Sequence, residues 1–308
     1  MKALKIIAKI FIISISAICV SVIVNAILLK IESKKIIPNG TLIEVNGYKL
    51  HVYSEGEINN KPTLVFMAGG GTTAPIYDFK PLYSLLKDEY HIIVVEKIGY
   101  GYADIANTDR NIDIILEETR KAIQSVENIG HFVLFPHSMS GLEALYWQIK
   151  YPEEIVAIIG LDMAFPKAYD HLHIPNVSFL HYATKTGLHR IPFIYKISNK
   201  NLTVDEYKQA KYLTYRNAIN ICFINEVKSV ISNAKKIISV NDSAKNINML
   251  LFSSDGAEIG DFWLSIQKEY AEKYDAELIL LDCGHYIHQF KPEEIAEKSK
   301  YFLKELLN

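Results

Sequence analysis

Apolar residues fall along this chain in three rhythms. The first is continuous. Ile10 to Leu29 reads IFIISISAICVSVIVNAILL, twenty residues without a charge. At 1.5 Å per residue such a helix spans about 30 Å, the hydrocarbon thickness of a bilayer. Lys2, Lys5 and Lys9 precede the run, and Lys30, Lys34 and Lys35 come after it. A helix on the surface of a soluble protein keeps one polar face; only scattered Ser and Asn interrupt this one. The run therefore reads as a membrane anchor over 10–29, after a short basic N-terminus over 1–9. The rival reading is a cleaved signal peptide, but the apolar core is long for that and continues past Ala26. The flanking lysines nearly balance, so charge barely orients the span. A single anchor this close to the start commonly exports the rest of its chain. That places the larger part of the protein outside the cytoplasm, held at the cell membrane.

The second rhythm is a series of short buried runs. PTLVFMA (62–68), HIIVVE (91–96), HFVLF (131–135), IVAIIGL (155–161), INMLLF (247–252) and ELILL (277–281) are apolar without alternation and of strand length. Strands buried on both faces have this signature. The third rhythm lies between them, with helical period over 77–87, 112–126, 141–150, 261–274 and 292–307. In the second of these, Ile115, Thr119, Ala122 and Val126 share one face. Buried strands alternating with amphipathic helices predict an α/β fold: a mostly parallel central sheet covered by helices on both faces. A polar linker over 30–40 ends in Pro38-Asn39-Gly40. TLIEVNGYKLHVYSEG then alternates apolar and polar residues around Asn46-Gly47, the signature of a tight hairpin. The folded domain runs over 41–308. The alternation stops from Met163 to Asn246, where helical patterns appear near 203–217 and 219–236. That segment, about 163–246, reads as a helical cap over the carboxyl edge of the sheet.

Composition narrows the partners. Of 308 residues, 49% are apolar and 22% charged, which excludes disorder. A net charge of −2 gives no electrostatic case for nucleic acid. Cys19, Cys222 and Cys283 form neither a disulfide framework nor a CxxC pair, and read as buried thiols.

Candidate chemistry centres on LFPHSMSGLEA (134–144), which sets Ser138 between a buried strand and a helix. A nucleophilic serine needs a base within hydrogen-bond reach, a group to orient that base, and donors for the oxyanion. The exposed serine of a strand–turn–helix elbow usually stands in G-x-S-x-G, because small flanking residues avoid collisions in the strained turn. Here Pro136 and Ser140 take the glycine positions. Pro136 lacks an N–H, which a strand end tolerates. An ordinary helix N-cap is the other reading of Ser138. The base candidate is His285 in LLDCGHYIHQF, directly after a strand; His288 could compete, while His131 and His137 read as structural. Two carboxylates end strands on the same edge: Asp255 in LLFSSDGAEIG and Asp162 in IIGLDMAFP, with Glu258 third. The triple glycine in VFMAGGGTT lets backbone N–H groups approach a substrate, and the N–H of Met139 supplies a second oxyanion donor.

The sequence of strand tips (AGGG, EKIGYGYAD, PHSMSG, GLD, the helical insertion, SSDG, CGHYIH) resembles the α/β-hydrolase fold family from about residue 41 to the C-terminus. EKIGYGYAD resembles that family's structural D-x-x-G-x-G-x-S loop, with Glu96 for the aspartate and Ala103 for the serine. The resemblance implies Gly70 as the oxyanion donor of the glycine loop. It favours Asp255 as the acid, since the family usually places the acid after the strand corresponding to INMLLF. Some lipases of the family instead place it in a Gly-Leu-Asp context like that of Asp162.

The expected function is a serine hydrolase of an ester, thioester or amide bond through an acyl-enzyme on Ser138, esterase- or lipase-like, needing no metal or organic cofactor. A serine at the nucleophile position argues against the dehalogenase branch, which uses aspartate. The expected substrate is a small acyl compound, with a lipid-derived ester suggested by the anchor. A proline-iminopeptidase-like amidase is an alternative, with Asp205, Glu206 or Glu226 of the cap meeting a free amine. A binding protein that keeps the fold without catalysis is the other, and Pro136 is its best support.

Overall fold

The computed structural model describes residues 2–126, 130–172, 176–191, 201–240 and 247–308. Helix α1 (Lys2–Ser33) leads the chain. It is longer than the apolar run at both ends, because nothing breaks a helix before Pro38. With a mean hydropathy of 2.6 and almost no burial, it is long and apolar enough to cross a membrane. The linker after it is fastened down. Gln209 donates to the Lys35 carbonyl at 2.8 Å and accepts from the Ile37 N–H at 3.1 Å.

Strands β1 (Thr41–Val45) and β2 (Tyr48–Glu55) form the expected hairpin, with Asn46 and Gly47 at φ of 54° and 83°. Next in the chain are β3 (Thr63–Met67), α2 (Pro75–Asp78), α3 (Lys80–Tyr83), β4 (Ile92–Glu96), α4 (Ile112–Val126), β5 (Phe132–Pro136), α5 (Ser140–Lys150) and β6 (Ile155–Leu161). Then come α6 (Val177–Lys185), α7 (Val204–Asn217), α8 (Ile221–Val240), β7 (Asn248–Ser253), α9 (Trp263–Tyr274), β8 (Glu277–Leu280), α10 (Ile287–Phe290) and α11 (Pro292–Leu307). The eight strands form one sheet in the order β1-β2-β4-β3-β5-β6-β7-β8. Pairing is parallel from β4 to β8, and β2 runs antiparallel to both of its neighbours, β1 and β4.

Alternate residues of the buried strands feed two cores. Val65, Leu134 and Ile158 pack with α4, α5 and α9 on one face. Phe66, Phe135 and Ile159 pack with α2, α3 and α11 on the other. One expected helix is interrupted. Residues 77–87 begin as α2 and α3 because Pro81 has no N–H to offer the Tyr77 carbonyl. Between β6 and β7 every described element is helical, and α6 was not foreseen from the sequence. Positions 173–175, 192–200 and 241–246 of the expected cap lie outside the described residues.

The loop after β4 is built around a buried carboxylate. Glu96 accepts from the N–H of Ile76 at 3.2 Å and of Tyr102 at 2.8 Å. Gly101, at φ 47°, lies against it so closely that a Cβ would sit 1.9 Å from the carboxylate. Gly101→Ala is expected to lower stability by about 3 kcal/mol through overpacking and backbone strain. The midpoint of urea unfolding, with an unchanged denaturant slope, measures this; an unaltered midpoint contradicts the packing described.

Candidate active site

Ser138 sits at the turn from β5 into α5, with φ 53°. A left-handed serine is strained, and it persists only where surrounding contacts hold it. The Ser138 carbonyl accepts from Gly141 N at 2.9 Å and from Ala164 N at 2.8 Å. Ser140 Oγ bonds the carbonyls of Met67 at 2.7 Å and His137 at 2.8 Å. The side chain of Ser138 lies over Gly69, where a Cβ would approach its own Cβ to 2.8 Å. That contact requires a glycine at 69. Pro136 is accommodated without loss. The β5–β6 ladder pairs Leu134 with Ile158 and resumes where His137 meets Leu161, so the missing N–H falls between paired positions.

The acid facing the histidine is Asp162. Its Oδ2 lies 2.6 Å from His285 Nδ1. Its Oδ1 accepts from Trp263 Nε1 at 2.7 Å, Ser254 N at 2.9 Å and Ser253 Oγ at 3.2 Å. Asp162 is fully buried and takes φ 48° just beyond β6. Its own N–H donates to the Phe252 carbonyl at 2.7 Å, so the turn is pinned to β7. Asp255, the acid favoured by the family resemblance, is not the carboxylate paired with His285. It is exposed, and its Oδ1 accepts from Ala257 N at 2.9 Å in a local turn. Glu258 acts on the histidine through the backbone, accepting from the His285 N–H at 2.9 Å.

Burial by itself would push the Asp162 carboxyl up. The bond and charge of His285, with the Ser254 and Trp263 bonds, outweigh it and hold the carboxyl below its ordinary value. His288 is occupied elsewhere, with Nε2 2.9 Å from Asp78 Oδ2 and its ring 4.8 Å from that of Phe79. His137 is fully buried beside both rings and donates to or accepts nothing from Ser138; its Nε2 lies 3.1 Å from the His285 carbonyl. Burial, then the neighbouring His285 and His288, push the His137 imidazole well below its ordinary value. His131 is exposed at the far end of β5.

Gly70 and Met139 lie on one side of the serine turn. A Cβ at Gly70 would meet Met139 Cε at 2.9 Å and the Phe223 ring at 3.2 Å. Among the described residues no protein acceptor takes the N–H of either Gly70 or Met139. The next N–H, of Gly71, donates to Tyr100 Oη at 3.3 Å. Tyr100 in turn donates to Glu226 of α8. Glu226 belongs to a buried cluster: Lys97 Nζ lies 3.8 Å from it and 3.2 Å from Glu143, and Arg110 lies 3.6 Å from it and 2.6 Å from Glu118. Three carboxylates thus share two cations, and burial pushes the Glu118 carboxyl up. The cluster and Phe223 fasten α8 to the glycine loop.

The carboxylates considered for binding an amine all have partners. Glu226 is in this cluster. Asp205 meets Lys208 at 2.9 Å, and Glu206 closes a capping box with Thr203 and pairs with Lys80. Sequence reasoning missed Trp263, Ser253 and Ser254 as holders of the acid, and Phe223 over the glycine loop. The paired hydroxyls after β7 were the one available signal. All three cysteines are free: Cys222 is buried, but Cys19 is exposed and Cys283 is half-buried, so neither is the buried thiol expected.

No family model matches the chain. YbdG of Bacillus subtilis, an uncharacterized protein, is 32% identical over 326 aligned positions, spanning 99% of this chain and all of that protein. Among solved structures, a carboxylesterase of the ammonia-oxidizing thaumarchaeon Nitrososphaera gargenis superposes with a TM-score of 0.64 at 16% identity, covering 87% of this chain and 99% of that one. The enol-lactonase of Burkholderia xenovorans gives 0.63 at 14% identity, covering 86% and 100%.

The buried His137 makes a pH prediction. Its folded value lies below its unfolded one, so the unfolded chain binds the extra proton, and the stability of the neutral ring is lost as pH falls below about 6.5. Unfolding free energy measured from pH 7 to pH 5 is expected to drop less in His137→Gln than in the unsubstituted protein. Parallel profiles would contradict this.

Proposed function

The chain belongs to the α/β-hydrolase family, and on that premise we propose that it is a serine hydrolase whose nucleophile is Ser138. The observation that carries this reading is the 2.6 Å contact of the buried Asp162 with His285, at the sheet edge where Ser138 holds a left-handed elbow. Asp162 fixes the tautomer in which Nδ1 keeps its proton and Nε2 is the base. His285 takes the Ser138 hydroxyl proton as Oγ attacks the substrate carbonyl carbon. The N–H groups of Gly70 and Met139 receive the oxyanion. Collapse breaks the bond to the alcohol, thiol or amine, which leaves with the proton from His285. Water, deprotonated by the same imidazole, then releases the acid and restores Ser138.

The substrate in this reading is a small acyl compound, cleaved at an ester, thioester or amide bond. An ester or thioester fits better than an N-terminal peptide, because Asp205, Glu206 and Glu226 are all committed to cations or caps within the protein. Helix α1 is the anchor that keeps the enzyme at a membrane, with the catalytic domain on the extracytoplasmic side.

A fluorophosphonate probe tests the nucleophile. It is expected to label the unsubstituted protein and not Ser138→Ala; equal labelling of both would sink the proposal. A panel of p-nitrophenyl esters tests the acid. Asp162→Asn is expected to lose about ten-thousand-fold in kcat, as the wrong tautomer is then held, and Asp255→Asn to stay near the unsubstituted rate. The reverse order would return the role to Asp255.

A further inference from the structure

Two polar residues of the anchor helix, Ser21 and Asn25, turn toward the rest of the protein. Asn25 is the one buried residue of α1. Its Nδ2 donates to the carbonyls of Thr184 at 3.2 Å and Lys185 at 3.0 Å, the C-terminal end of α6. Its Oδ1 accepts from Arg190 Nε at 2.6 Å. Ser21 donates to the Thr186 carbonyl. The Arg190 guanidinium then bonds both oxygens of Glu32, at 2.8 and 2.7 Å. Gly187, at φ 80°, lets this turn close on α1; a Cβ there would already touch Asn25 at 3.3 Å. The cap thus grips α1 from Ser21 to Glu32.

Position along α1 converts into depth. If the charge-free run ending at Leu29 fills the hydrocarbon, Asn25 lies about 6 Å and Ser21 about 12 Å inside its edge. The α6 end bonded to them lies at the same depth. Glu32 falls outside the edge, at headgroup level, and the Arg190 guanidinium bridges it to Asn25. The surface of α6 suits that placement. VSFLHYAT, residues 177–184, carries no Asp, Glu, Lys or Arg. Phe179 and Tyr182, one helical turn apart, are each 71% exposed, and Leu180, Leu188 and Ile191 are exposed beside them. Aromatic side chains of this kind settle at membrane interfaces. Lys185 can extend its stem back to the headgroups. Between α1 and this turn lies an open groove of about 540 Å³, lined largely by apolar residues such as Val20, Val24 and Leu28.

We propose that α6 and the turn to Ile191 form a second membrane-embedded element, docked on α1 and buried in the margin of the same leaflet, so that the cap meets the bilayer directly. This rests on α1 being a membrane span. It deepens the substrate assignment: α6 packs against α8, His181 Nδ1 lies 2.6 Å from the carbonyl of Ile219 in the turn leading into α8, and Phe223 of α8 covers the glycine loop. A site walled by a membrane-seated cap selects acyl lipids resident in the bilayer.

The test uses the full chain with Cys19 and Cys283 replaced by serine, reconstituted into phosphatidylcholine–phosphatidylglycerol vesicles. A polarity-sensitive fluorophore is attached to single cysteines at Phe179, Tyr182, Ile13 of α1, and Tyr301 of α11. Thermal unfolding matched to the unlabelled chain confirms that each folds. Phe179→Cys and Tyr182→Cys are expected to lose fluorescence to lipid brominated on its acyl chains, as Ile13→Cys does, while Tyr301→Cys responds only to aqueous iodide. Iodide quenching at 179 and 182 with bromolipid quenching at 13 would overturn the embedded cap and leave the anchor standing. Iodide quenching at position 13 as well would remove both.

Discussion

A single buried carboxylate organises the carboxyl edge of this sheet. Asp162 has no access to water, yet both of its oxygens are satisfied: one by β7 and Trp263, the other by His285. An isolated charge in that position would be costly. Four donors, from the end of β7, from α9 and from the loop after β8, make it tolerable and fix where the carboxylate points. The strand tips of β6 and β7, the start of α9 and the loop after β8 are thereby tied to one another. His285 inherits its orientation from this arrangement, and Glu258 secures the same loop through its backbone. The geometry of the candidate site and local stability depend on the same atoms.

The opposite side of the serine is held by a different device. Tyr100, Glu226, Lys97 and Arg110 form a dry ion cluster that links the glycine loop to α8 of the cap. Breaking one member would leave buried charges uncompensated, so the cluster ties the loop firmly to the cap. The cap is fastened again to α1, by Asn25 and by the Glu32–Arg190 pair. Polar contacts thus tie α1 to α6, α6 to the turn before α8, and α8 to the glycine loop.

Much of this was legible in the sequence, for physical reasons. Buried strands leave uninterrupted apolar runs, and α4 and α11 were bounded to the residue by their period. The serine turn was visible because its strand and helix flank it, even with Pro136 and Ser140 in place of glycines. The acid was not decided, because Asp162 and Asp255 both end strands on the same edge and only the fold shows which turns inward. Its choice depends on φ 48° at Asp162 and on Trp263, a hundred residues away in the chain. Helix α6 escaped notice because its apolar residues face outward and give no core-facing period. Ser21 and Asn25 of the anchor looked incidental because their partners are remote in sequence.

The central claim is covalent chemistry at Ser138, and an acyl-enzyme can be weighed. The full-length protein is mixed with a p-nitrophenyl ester, quenched in acid within the first turnover, digested and analysed by mass spectrometry. The account predicts the acyl mass on the peptide containing Ser138, forming with the burst of p-nitrophenol and decaying at the steady-state rate. Steady turnover without an acylated Ser138 peptide, or with the acyl group on another residue, would contradict it.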